Sequence, residues 1–250
     1  MNKPLNILIV DDDPMMANTM ADILNMSGYR VTACHSAEEA LDTARKIELD
    51  VVISDIRMPG MNGVELFNAL QSVQPNLPVI LMTAYAAEEL IRQGMAEGVI
   101  GTLDKPVDIH RLLSLLNTLQ EFQTIAVVDD DPNFCKTLAD ILVEKGFQVK
   151  QITDPHIDIQ PVTDEAQVII IDLLLNSITG LEILQEIRKR RPIVPVIMIT
   201  GFRQEMLDTI EKAREMNAET LYKPLSLPDL LKVLDDIRDD HLRDALNGRE

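Results

Sequence analysis

No run of about 18 apolar residues occurs anywhere in the chain, so no membrane-spanning helix is expected. The N-terminus, MNKPLN, lacks the apolar segment of a secretory signal. Cysteine is nearly absent. Cys34 and Cys135 stand in neither a metal nor a redox spacing and read as structural thiols of a reducing compartment. These absences lead us to expect a soluble, cytoplasmic protein. Basic residues are scarce as well: 23 Lys and Arg face 41 Asp and Glu, and residues 1–122 and 123–250 each carry net −9. Such a field repels a phosphate backbone, and no nucleic-acid partner is expected. The one basic run, Arg188-Lys189-Arg190-Arg191 before Pro192, reads as a helix end, where cations suit the dipole.

What the chain has is 46% hydrophobic residues over 250 positions, enough for two cores. It also repeats itself. ILIVDDDP at 7–14 returns as IAVVDDDP at 125–132. Adjacent carboxylates repel, and all ionise together only beside a cation. One copy reads equally well as a solvated acidic loop; two copies in one context do not. The repeat runs on: TMADILNMSGYRV (19–31) matches TLADILVEKGFQV (137–149), and VVISDIRMPGMNGVEL (51–66) matches VIIIDLLLNSITGLEI (168–183). PVILMTAY (78–85) matches PVIMITGF (195–202), and LDKP (103–106) matches LYKP (221–224). Each copy is therefore a whole domain, 1–122 and 123–250. The join, LQEFQT (119–124), holds no Gly, Pro or Ser.

In the first copy, short apolar runs at 6–10, 29–33, 51–54, 79–82 and 99–103 read as strands. Amphipathic stretches at 14–26, 37–47, 62–73, 87–95 and 108–121 read as helices between them. Near-continuous apolar strands separated by helices predict a five-stranded, doubly wound parallel α/β sheet covered on both faces. The second copy keeps the plan, but two prolines within 154–167 predict a short or irregular second helix. In such a sheet, ligands gather beyond the carboxyl ends of the strands. The acidic triplet ends strand one, Asp55 strand three, Thr83 strand four and Lys105 strand five, so all converge on one rim. No glycine-rich loop follows strand one, which removes support for a dinucleotide site.

The ordered set Asp-Asp, Asp, Thr and Lys-Pro, present twice, resembles the receiver domain of the bacterial response-regulator family, over about 5–121 and 124–240. That resemblance implies two flavodoxin-like domains in tandem, strand order 2-1-3-4-5, and a role in two-component signal transduction or phosphorelay. It implies that Asp55 and Asp172 are phosphoacceptors, forming an aspartyl phosphate from a histidine kinase or histidine phosphotransfer protein. One Mg²⁺ per receiver is implied. Asp12 and Asp130 would bind it directly and Asp11 and Asp129 mainly through water, joined by Asp55, Asp172 and the carbonyls of Arg57 and Leu174. Lys105, Lys223, Thr83 and Thr200 would meet the phosphoryl oxygens, and the peptides before Pro106 and Pro224 are commonly cis in this family. Asp13 and Asp131 read as solvated or helix-capping. Two departures stand out. Thr102 and Thr220 occupy the place of the family's aromatic switch residue, and Leu175-Asn176-Ser177 replaces Met58-Pro59-Gly60 after the second aspartate.

The function this predicts is a phospho-accepting tandem-receiver regulator whose output is protein–protein contact, with no separate catalytic domain. The main alternative is the N-terminal regulatory half of a longer signalling enzyme, such as a cyclic-dinucleotide synthase or hybrid histidine kinase. A dehalogenase-type phosphatase would need Asp-x-Asp, which Asp55-Ile56-Arg57 and Asp172-Leu173-Leu174 refuse. An inert binding module would show an incomplete constellation, and neither copy does. His35, His110, His156 and His241 lack a phosphodonor context. A homodimer is allowed, but not one driven by the C-terminus. After Leu227, Leu230, Leu234 and Ile237, the seam positions turn polar at His241 and Asp244 while Leu242 and Leu246 fall off it, predicting a short, frayed helical extension.

Overall fold

Along β1 (Asn6–Val10) every side chain after Asn6 is buried, and successive ones leave opposite faces. Leu8 and Val10 join one apolar cluster, Ile7 and Ile9 another. A strand apolar on both faces requires helices above and below it. The computed structural model, which describes residues 4–84, 87–154, 160–176, 178–201 and 207–248, supplies them. In chain order the first set is α1 (Pro14–Met26), β2 (Arg30–Cys34), α2 (Ala37–Ala44), β3 (Val51–Asp55), α3 (Gly63–Val73), β4 (Val79–Thr83), α4 (Glu88–Glu97), β5 (Gly101–Asp104) and α5 (Ile109–Glu121). The strands form one all-parallel sheet in the order β2-β1-β3-β4-β5. Ala17, Met20 and Leu24 of α1 and Leu112, Leu115 and Leu116 of α5 cover one face. Ala40 and Leu41 of α2 and Leu66, Phe67 and Leu70 of α3 cover the other.

The second set repeats the plan with β6 (Thr124–Val128), α6 (Pro132–Glu144), β7 (Gln148–Ile152), α7 (Gln160–Glu165), β8 (Val168–Asp172), α8 (Gly180–Arg190), β9 (Val196–Gly201), α9 (Leu207–Glu215), β10 (Ala218–Lys223) and α10 (Leu227–Asn247). Its sheet order, β7-β6-β8-β9-β10, is the same topology. The doubly wound, flavodoxin-like fold read from the sequence is thus present twice. The second helix of this copy is short, as its prolines foretold; residues 155–159, including His156, lie outside the described residues.

Two strands begin later than their apolar runs. Tyr29 donates its N–H to Leu24 O (3.2 Å), and Val99 donates to Gly94 O (2.9 Å). Both follow left-handed glycines, Gly28 (φ 95°) and Gly98 (φ 111°), so these residues close helix ends instead of entering the ladder. The basic run ends α8 as expected, but its arginines do more than suit a dipole. Arg188 donates to the carbonyls of Val194 (2.7 Å), Met216 (2.8 Å) and Asn217 (3.1 Å), and Arg191 to those of Thr163 and Ala166. Cys34 and Cys135 are buried and unpaired, in keeping with structural thiols. Among the described residues no helix is long and apolar enough to cross a membrane.

The C-terminus corrects the sequence reading. α10 runs unbroken to Asn247, and Leu242 and Leu246 are buried. By compactness the chain groups as Met1–Gln120 with Arg238–Glu250, and as Glu121–Ile237. In the first of these units both leucines join the cluster of Leu112, Leu115 and Leu116, and Arg111 Nη2 donates to Leu246 O. The leucines that fall off the helix's first stripe therefore form a second one, and apolar burial holds the extension instead of letting it fray.

Candidate functional site

The rim expected from the sequence is assembled in both copies. Asp11 directly follows β1 and is buried; Asp12, next along the chain, is exposed. Asp13 then caps α1, its Oδ1 accepting from the N–H groups of Met15 (2.9 Å) and Met16 (3.4 Å). Asp131 caps α6 in the same way. Asp55 ends β3, and across the rim Lys105 Nζ lies 2.6 Å from Asp11 Oδ2 and 3.0 Å from Asp55 Oδ2. In the second copy Lys223 Nζ lies 3.0 Å from Asp129 Oδ2 and 2.7 Å from Asp172 Oδ2. The Lys105-Pro106 and Lys223-Pro224 peptides are both cis.

Desolvation alone would lower the lysine pKa values, but the bonds to the two carboxylates outweigh it and raise both above the usual value. Asp129 is pushed up, first by burial and also by the Asp172 charge, against the Asp131 N–H and Lys223. Thr83 and Thr200 are buried, and each hydroxyl donates to the next carbonyl, Ala84 O (3.0 Å) and Gly201 O (3.1 Å).

Carboxylate oxygens of Asp11, Asp12 and Asp55 lie within 4.8 Å of one another, as do those of Asp129, Asp130 and Asp172. An all-oxygen, anionic donor set fits a hard divalent cation such as Mg²⁺ and suits softer metals poorly. Arg57 and Leu174 stand in the loop beyond each central aspartate; their N–H groups reach Asp55 Oδ1 (3.4 Å) and Asp172 Oδ1 (3.2 Å).

Three features escaped the sequence reading. A Cβ on Gly63 would sit 2.5 Å from Asp55 O, and one on Gly180 closer still to Asp172 O. Each glycine lets a helix N-terminus pack onto the backbone of the central aspartate; its recurrence in NGVEL and TGLEI was the available signal. Phe134 places its ring 4.5 Å beneath Lys223 Nζ, where the first copy has Met16. The Asn176 N–H donates to Asp130 Oδ2 at 2.7 Å. Ser177, beside it, lies outside the described residues.

Comparison with known proteins gives this geometry a family. The model of the response regulator receiver domain matches residues 7–117 and 125–235. A response regulator receiver protein of Anaeromyxobacter sp. (strain Fw109-5) is 33% identical over 197 residues, covering 78% of this chain and 82% of its own. The transcriptional regulatory protein GlrR of Escherichia coli (strain K12) is 37% identical over 120 residues, 48% of this chain and 27% of GlrR. The chain thus spans most of one relative and about a quarter of the other. Among solved structures, the chemotaxis protein CheY4 of Vibrio cholerae is 32% identical, with a TM-score of 0.44, covering 47% of this chain and 99% of CheY4.

Proposed function

The chain belongs to the response regulator receiver domain family of two-component signalling, and from that premise we propose that it accepts phosphoryl groups on Asp55 and Asp172. One observation carries this reading. In both copies the central carboxylate faces a lysine ammonium, at 3.0 Å and 2.7 Å, within a cluster of two further carboxylates. A carboxylate oxygen attacks the phosphorus of a phosphohistidine, the P–N bond breaks, and the imidazole leaves with a proton, giving an acyl phosphate. Lys105 and Lys223 meet the charge on the phosphoryl oxygens, and the hydroxyls of Thr83 and Thr200 turn from their carbonyls to bond them. Asp12 and Asp55 or Asp130 and Asp172, with the carbonyls of Arg57 or Leu174 and, through water, Asp11 or Asp129, would hold a Mg²⁺ ion, which would supply charge neutralisation.

The donor is a histidine kinase or histidine phosphotransfer protein, and the output is a change of binding partner in the phosphorylated form. The two receivers are the copies 1–122 and 123–250, acting in the cytoplasm as phosphoacceptors. A second reading, the regulatory part of a longer signalling protein, draws support from the 27% of GlrR that the chain spans. The test is phosphotransfer from a phosphohistidine-bearing protein in Mg²⁺. The label should move to this chain and be released by hydroxylamine, as an acyl phosphate is. A label that stays on the donor, or one that resists hydroxylamine, overturns the reading.

A further inference from the structure

The two sites match in their carboxylates and lysines but differ in what else holds those groups. Four residues after Asp172, on the loop from β8 to α8, the Asn176 N–H donates to Asp130 Oδ2 at 2.7 Å. A backbone donor on a carboxylate is a charge-assisted bond, among the stronger kinds. Four residues after Asp55 stands Pro59, which has no N–H to give. Accordingly Asp12 is exposed, whereas Asp130 is half-buried. Lys223 also lies over the Phe134 ring, a contact for which the first site offers Met16.

We infer that the Asn176 N–H latches Asp130 and makes the second receiver a weaker Mg²⁺ site than the first, so that the two load in sequence as Mg²⁺ rises. The inference rests on reading the carboxylate clusters as Mg²⁺ sites. A cation approaching Asp130 competes with the amide for the same negative charge, and its binding must break or share that bond. Among the described residues no amide donates to Asp12, which is exposed. The determinant is a backbone amide, so its presence or absence is decided by proline alone, not by the character of the side chain.

Calorimetric titration of the full chain with Mg²⁺ alone tests this, reading one site at a time. Asp12→Ala leaves the second site and Asp130→Ala leaves the first. The second should bind about tenfold more weakly, the lower end for losing a hydrogen bond to a charged group. In the Asp12→Ala background, Asn176→Pro should tighten binding several-fold, whereas Asn176→Ala, which keeps its N–H, should not. In the Asp130→Ala background, Pro59→Ala installs the donor and should weaken binding by a similar factor, a readout that stands even if proline disturbs the second loop. Equal affinities, a tighter second site, or a Pro59→Ala variant that titrates unchanged overturns the inference and leaves the metal reading intact. Absence of binding at both sites overturns the two together.

Discussion

Lys105 Nζ lies 3.0 Å from Asp55 Oδ2, although all of α3, β4, α4 and β5 stands between them in sequence. The doubly wound topology brings them together, because the carboxyl ends of parallel strands share one rim. Lys223 and Asp172 repeat the pair at 2.7 Å.

These pairs make stability depend on alkaline pH. Burial works against both ammonium groups, but their bonds to Asp11 and Asp55, and to Asp172 and Asp129, raise the pKa from the ordinary 10.5. A group whose folded pKa is raised contributes stability fully below its unfolded value and loses it as pH climbs through the folded one. The wild-type melting temperature should therefore fall more steeply above about pH 10.5 than that of a Lys105→Gln, Lys223→Gln double variant. Parallel melting curves between pH 9 and 12 would show that the pairs contribute nothing.

Gly63→Ala should destabilise the first unit, because the added methyl would stand 2.5 Å from the backbone oxygen of Asp55. Relief requires moving either α3 or the central aspartate itself. Overpacking of this kind costs about 1–3 kcal/mol, and a urea melt should resolve it. A midpoint equal to wild type would mean that the helix end yields freely.

Leu246→Ala should cost about 2–5 kcal/mol, as deletions of buried leucines do. Leu246 packs where Gly101 has no side chain, and it is 5% exposed. Met26→Ala, at a residue 90% exposed, is the control and should leave the melt unchanged. If the two variants melt alike, the C-terminal turn is not packed as described.

The thiols should be silent in the native protein. Burial, then the charge of Asp129, pushes Cys135 up to about 11, and burial raises Cys34. The thiolate is the reactive form, so alkylation at pH 8 should be slow until urea is added. Rapid labelling of the folded chain would contradict this.

The fold and the rim were legible because they are written as side-chain pattern: a near-continuous apolar run in β1, carboxylates at the ends of β1 and β3, Lys-Pro after β5. What was not legible is written elsewhere. The bond from Asn176 to Asp130 is made by a backbone amide, and only the comparison with Pro59 marks it in the sequence. Leu242 and Leu246 fall off the stripe that begins at Leu227, and helical spacing says that a second stripe exists but not which surface receives it. Phe134 and Met16 both read as ordinary apolar residues in a helix's first turn; only the position of Lys223 separates their roles.

The central claim is covalent chemistry on two aspartates. Intact-mass spectrometry after incubation with Mg²⁺ and a small acyl-phosphate donor tests it directly. The account predicts one or two added phosphoryl groups on the wild type, loss of one in Asp55→Asn, loss of the other in Asp172→Asn, and none in the double variant. A wild-type chain that stays unmodified, or a double variant that still gains phosphoryl mass, contradicts it.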